Sequence, residues 1–296
     1  MITRKILLKT YFDCIPCFFR QGLNACKTAG VNDEVKRLVL NELGRLLPQM
    51  DIKSSPPHLA MAVYGLVEKY AGINPFREEK KKANKIALNI YPQLVEMIRR
   101  SSDPLLTALK IAAVGNIIDL GAYDFDIENF DLIEEINKHL AMDFYTHNLV
   151  EFQADLETAQ TILYIGDNAG EIVFDKALIK LLRSRDKKII FAVRGKPVIN
   201  DVTLEDAEQV GIGQYAEVID SGVPAPGCIL FLCSQEFQQL FQHSDLVISK
   251  GQGNFEALDN APRSVYFLFK VKCKVLSTNL SVPQDSMVFI KSNLKS

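Results

Sequence analysis

The sequence predicts an α/β protein, a helical first half followed by a parallel, doubly wound sheet, and three observations carry that expectation. Apolar residues recur at helical spacing from about residue 15 to about residue 160. Beyond that point short apolar runs bounded by Gly, Asp, Asn or Ser take over. Helical patterns separate those runs, which is the alternation of a sheet covered by helices. The expected division is 1–158 for the helical part and 159–296 for the α/β part.

In the first part Val35, Leu38, Val39, Leu43 and Leu46 share one helical face, as do Leu59, Ala62, Val63, Leu66 and Tyr70. Pro56 and Pro57 fit a first helical turn, where the missing N–H would have no intrahelical partner in any case, and Asp103-Pro104 gives an N-cap followed by proline at the first helical position. The charged run 77–85 reads as a solvated helix face. In the second part, 161–165, 188–193, 216–219, 246–249 and 265–269 read as buried strands, with helices at 172–182 and 234–242 and a loop at 222–227 around Pro224 and Pro226. In such sheets ligands bind outside the carboxyl ends of the strands, so chemistry is sought there.

A chain of 296 residues buries enough surface to fold without staples, and 48% hydrophobic with 24% charged residues excludes disorder and fibrous repeats. A net charge of -2 gives no footprint for nucleic acid, while a local pocket can still take a small anion. Arg4, Lys5 and Lys9 are not followed by a signal-peptide core, so the start is expected to belong to the mature protein, and no apolar run is long enough to cross a bilayer. Six cysteines, at 14, 17, 26, 228, 233 and 273, are too few and too scattered for a disulfide scaffold, which points to a soluble protein of the reduced cytoplasm.

Three loops combine glycine with hard or cationic side chains. Gly166-Asp167-Asn168-Ala169-Gly170-Glu171 runs from a strand into a helix: Asp167 and Asn168 offer oxygen ligands to a divalent ion, and the helix start offers amides to an anion. The alternative is a simple helix cap, with Glu171 completing a capping box. Arg194-Gly195-Lys196-Pro197-Val198-Ile199-Asn200-Asp201 leaves the next strand; Asp201 can complete the metal site while Arg194 or Lys196 meets phosphate charge, or Asn200, Asp201 or Thr203 can cap a short helix through Asp206. Ser249-Lys250-Gly251-Gln252-Gly253-Asn254-Phe255-Glu256 adds a cation and glycine amides for a phosphoryl group, without the spacing of a Walker A loop.

In the helical part, Asn116 and Asp119 interrupt an apolar segment three residues apart and need partners, either in a buried network or at the pocket. Cys14-Ile15-Pro16-Cys17 is half of a zinc motif; metal binding, redox sensing and plain packing all stay open for it. His58, His139, His147 and His243 lack metal-ligand spacing.

Taken in order, these three loops, Gly115-Asn116 with Asp119, and the CxxC of Cys14 and Cys17 resemble the damage-control phosphatase family, also called domain of unknown function 89, in its subfamily I. The resemblance covers nearly the whole chain. It implies a helical amino-terminal part packed on a Rossmann-like three-layer α/β/α part with a mostly parallel sheet. It further implies metal ligands at Asp167, Asn168 and Asp201, a phosphate-facing Lys250, and hydrolysis of small phosphate monoesters such as damaged or surplus sugar phosphates and nucleotides, with manganese, nickel, cobalt or magnesium. On that reading Asp167, Lys250 and Glu171 are the catalytic candidates, with Asn116, Asp119, Arg194, Lys196, Asn200, Lys250, Gly251 and Asn254 around the phosphorylated metabolite. The nucleophile is either water on the metal or Asp167 itself. Two alternatives are an S-adenosylmethionine-dependent methyltransferase, built on the strand and acidic loop from Ile162 to Asp167, and a non-catalytic sensor of phosphorylated metabolites.

Overall fold

The computed structural model describes residues 9–71, 74–115 and 132–292. The first half forms helices α1 (Cys14–Thr28), α2 (Asp33–Leu46), α3 (Pro56–Ala71), α4 (Arg77–Arg100), α5 (Pro104–Val114) and α6 (Leu132–Ala141). Their starts obey the expected chemistry: Asn32 Oδ1 caps α2 through the Val35 amide at 3.0 Å, and Asp103 Oδ1 caps α5 through Leu106 at 3.0 Å, with Pro104 at the first position.

The first strand of the sheet precedes residue 159. A two-residue strand β1 (Thr146–His147) and helix α7 (Leu149–Thr158) lead into β2 (Thr161–Ile165), α8 (Glu171–Arg183), β3 (Lys188–Val193), α9 (Leu204–Val210) and β4 (Glu217–Asp220). Then follow α10 (Gln235–His243), β5 (Leu246–Lys250), α11 (Gln252–Leu258), β6 (Tyr266–Lys270), α12 (Lys274–Leu280) and β7 (Met287–Lys291). The sheet order is β1-β7-β6-β5-β2-β3-β4, and every pairing is parallel except β6 with β7. Three of the five expected strands match their observed starts, while β4 and β6 begin one residue later than read. The edge pair of β1 and β7 had not been anticipated: two residues are too few to show a period, and the apolar run of 287–290, although flanked by Asp285, Ser286 and Ser292, had not been read as a strand.

Alternation along the central strands sends side chains to two separate cores. Ile162 and Tyr164 of β2 join Ile189 and Phe191 of β3 against α4, α5 and α8. Leu163, Ile165, Ile190 and Ala192 face the other way, against Phe237 and Phe241 of α10, Phe255 of α11 and Leu276 of α12. The result is the expected three layers. Helix α8 is buried on nearly every side because α4 and α5 cover the face that the sheet does not; burying Phe174 there contributes about 1.5–3 kcal/mol. Helices α1 to α3 make smaller clusters of their own, one of which takes in Ile199 from the loop after β3.

The reading of 77–85 as a solvated helix face holds only in part. Arg77, Glu78, Lys82 and Lys85 are exposed, but Lys80 (4% exposed) and Asn84 (0%) are buried against the α9 region. Among the described residues no helix is long and apolar enough to cross a membrane.

Candidate active site at the carboxyl edge of the sheet

Strands β5, β2 and β3 are neighbours, so the three loops singled out above leave the sheet side by side. The first two are laced together. Val202 N–H donates to Asp167 O at 2.8 Å, Ala169 N–H to Asn200 O at 2.8 Å, and Asn168 and Asp201 form an isolated antiparallel bridge. Helix α8 is capped by Gly170, whose φ of 78° suits glycine, and no side chain caps it; Asp167 and Asn168 are thus not caps. Instead Asn168 Nδ2 donates to Asp167 Oδ2 at 2.9 Å. Thr203 caps α9 with Asp206 and leaves Asp201 facing its own partners.

The third loop completes the enclosure. Gly251 has a φ of 82°, and a Cβ placed on it would lie 2.1 Å from Asp167 Oδ2, so only glycine lets this backbone pass the carboxylate. Asn254, expected near phosphate, spends its amide on main chain: Nδ2 donates to Gly166 O (3.0 Å) and Lys250 O (2.7 Å), and Oδ1 accepts from Cys228 N–H (2.8 Å). It ties the first and third loops to the 222–234 connection.

Arg194 is 1% exposed and lies between the two acidic groups. Its Nε donates to Asp201 Oδ2 at 2.6 Å, and Nη2 stands 3.7 Å from Asp167 Oδ1. Neither Nη1 nor Nη2 has a hydrogen-bond partner among the described residues. Burial, then the charges of Glu171 and Asp201, holds the Asp167 carboxyl well above the usual carboxylate range, with Arg194 and Lys272 opposing. Asp201 is raised by burial against the lowering charge of Arg194. Lys272 is exposed just past β6, at the same edge of the sheet, and its charge acts on both carboxylates; sequence reasoning missed it because a lone lysine after a strand has no distinguishing pattern.

Lys250 is 0% exposed, and its three N–H groups go to Ala112 O (2.8 Å), Glu171 Oε1 (2.5 Å) and Asp175 Oδ1 (2.6 Å). Tyr164 donates its hydroxyl to the same Asp175 oxygen at 2.7 Å. Burial alone lowers the lysine pKa, but Asp175 and Glu171 outweigh it and keep the ammonium charged; burial pushes Asp175 up to about 6 despite Lys250. Asp175, one helical turn beyond Glu171, was also missed, since within α8 it reads as an ordinary polar position.

Of the remaining candidates, Lys196 is exposed and Asn200 half-buried on the second loop. Asn116 and Asp119 lie outside the described residues; Gly115, just before them, packs close to Phe174 and the Glu171 side chain. Cys14 and Cys17 occupy the first turn of α1. Burial, with smaller contributions from Glu256, Cys273 and Cys17, pushes the Cys14 thiol up to about 11.

Two carboxylates and an amide beside a buried guanidinium, at the crevice of a doubly wound sheet, have the chemistry of an α/β enzyme that handles a small anion. The family can be stated more closely. Residues 10–288 match the damage-control phosphatase ARMT1-like domain, and the chain belongs to that family. It is 35% identical over 290 residues to an uncharacterized protein of Methanocaldococcus jannaschii, covering 94% of each chain. It is 31% identical over 292 residues to a damage-control phosphatase of Pyrococcus horikoshii, covering 97% of this chain and all of the relative. A damage-control phosphatase of Archaeoglobus fulgidus matches at 31% over 238 residues, 78% of this chain and 81% of the relative. The crystal structure of a domain-of-unknown-function-89 protein from Pyrococcus horikoshii superposes with a TM-score of 0.87 at 30% identity, over 97% of this chain and all of that one. The methyltransferase alternative falls with this membership.

Proposed function

We propose that this protein is a metal-dependent phosphatase of metabolite damage control, hydrolysing small phosphate monoesters such as sugar phosphates and nucleotides. The relatives named damage-control phosphatases, matching at 31% identity over most of the chain, support the phosphatase role. The observation that carries the site is Arg194, whose two terminal nitrogens are buried with no hydrogen-bond partner among the described residues, Nη2 standing 3.7 Å from Asp167 while Nε binds Asp201. Buried donors left unmade cost about 1–3 kcal/mol each, and a phosphoryl group presents acceptor oxygens with the geometry of that fork.

The donor set suits a hard divalent ion, manganese, nickel, cobalt or magnesium. Among the described residues no three His, Cys, Asp or Glu side chains form a metal-binding group, so the reading rests on two carboxylates, Asp167 and Asp201, with the Asn168 amide oxygen. When bound, such an ion supplies Lewis acidity to a phosphoryl oxygen. Arg194 orients the phosphoryl group through Nη1 and Nη2. Asp167, enclosed by Gly251, either attacks phosphorus or orients the attacking water, and the bond to the leaving oxygen breaks as the new bond forms. Lys250 fixes Glu171 and Asp175 behind the site, Asn254 holds the loops in register, and Lys272 with Lys196 meets further negative charge on the substrate.

The test is phosphate release from metal-stripped protein over a panel of sugar phosphates and nucleotides, with each ion added back and Asp167→Ala run alongside. Metal-dependent release lost in the variant supports the reading. Tight phosphate binding by folded protein with no release under any of the four ions would replace it with the sensor.

A further inference from the structure

Helix α4 belongs to the helical half, yet two of its residues one turn apart reach both acidic loops. Asn84 Oδ1 accepts from Gly170 N–H at 2.7 Å, the amide at the turn that carries Asp167 and Asn168. Asn84 Nδ2 donates to Asp206 Oδ1 (3.1 Å) and Gln209 Oε1 (2.9 Å). Lys80 Nζ contacts Asp206 Oδ2 at 2.6 Å and Thr203 Oγ1 at 3.3 Å, two residues beyond Asp201. All four of Lys80, Asn84, Thr203 and Asp206 are buried.

Buried polar networks of this kind fix one geometry, because each unmade bond would leave a desolvated group. The loop between β3 and α9 also holds Ile199 at a φ of 45°, a strained setting for a β-branched residue, and the same side chain packs on the cluster of Cys26, Val39 and Phe76. The second acidic loop is therefore gripped from the helical half at two points, and the first at one.

We propose that Lys80 and Asn84 are positioning residues for the reaction: together they set the distance between Asp167 and Asp201, and with it the affinity of the site for a divalent ion. They touch neither metal nor substrate; they act through Gly170, Thr203 and Asp206. The inference rests on the metal reading given above. It also makes the helical half part of the active-site scaffold, so that a shift of α4 would open the acidic pair.

The experiment is calorimetric titration of Mn²⁺ into metal-stripped full-length protein, with thermal melts of every variant. Asn84→Leu, close in volume but without the amide, and Lys80→Met are expected to weaken Mn²⁺ binding tenfold or more while unfolding cooperatively. Lost turnover at low Mn²⁺ should return as the ion is raised, with KM for substrate unchanged. Should either variant fail to fold, Thr203→Val removes one contact of Lys80 at smaller cost and carries the same expectation with a smaller shift. Folded variants that bind Mn²⁺ as tightly as the parent protein would overturn the proposal, because a merely structural role lowers the melting temperature without touching affinity. Parent protein that binds Mn²⁺ but releases no phosphate with any of the four ions would remove the phosphatase reading and leave this proposal standing; parent protein that binds none of Mn²⁺, Ni²⁺, Co²⁺ or Mg²⁺ would overturn both.

Discussion

Arg194 gives its Nε to Asp201 Oδ2 at 2.6 Å and keeps both terminal nitrogens buried with no hydrogen-bond partner among the described residues. A guanidinium held by one edge presents the other edge as a rigid fork, which Lys cannot imitate. Arg194→Lys is expected to raise the inhibition constant of inorganic phosphate by roughly 10–100-fold, the equivalent of losing one charged hydrogen bond of about 1.5–3 kcal/mol. Competition assays check this, and an unchanged constant would place the phosphate elsewhere.

Gly251 tests the same crevice from its opposite wall. A Cβ there meets the Asp167 carboxylate, and a φ of 82° with ψ of 154° is a region almost closed to other residues. Gly251→Ala is expected to lower stability by roughly 1–3 kcal/mol and to displace Asp167, cutting turnover far more than the melting temperature suggests. Turnover near that of the parent, measured on folded protein, would show that Asp167 tolerates displacement.

The three loops were legible because each follows a short apolar run and begins with glycine beside a charged or amide residue, a local pattern that needs no knowledge of distant contacts. Capping was equally visible as an alternative, and geometry decided it: Gly170 and Thr203 take the caps, which no count of candidate cap residues could have told apart. Lys80 and Asn84 were illegible for the opposite reason. Their burial depends on Asp206, 122 residues beyond Asn84, and within their own segment they look like the exposed lysines around them. Lys250 was legible as a cation in a glycine-rich loop, but its enclosure by Glu171 and Asp175 on a facing helix was not.

That enclosure gives Lys250 a large structural weight. A buried ion pair adds little net stability over apolar residues, yet removing one partner strands the others, at a cost of about 3–5 kcal/mol. Lys250→Met should therefore destabilise by about that amount in denaturant unfolding. Adding Asp175→Asn should recover part of the loss, since one of the two stranded carboxylates is then neutral. Simple additivity of the two single changes would mean that the contacts at 2.5 and 2.6 Å are not energetically coupled.

Glu256, on α11 beside Cys273, offers a readout far simpler than turnover. Burial pushes its carboxyl up from 4.5 to about 7, and the Gln252 hydrogen bond, 2.8 Å long, opposes the shift only in part. The folded state then binds a proton that the unfolded chain releases above its own carboxylate pKa, so this group's contribution to stability is full below about pH 4.5 and is lost as the pH rises to about 7. Glu256→Gln keeps the shape and removes the titration. Unfolding free energies of the variant should lie above those of the parent at pH 8 and converge with them near pH 4.5, with a flatter slope between. Parallel pH profiles for the two proteins would show that the Glu256 carboxyl is solvated in the folded state, and that the charge it places near Cys14 and Cys273 is screened.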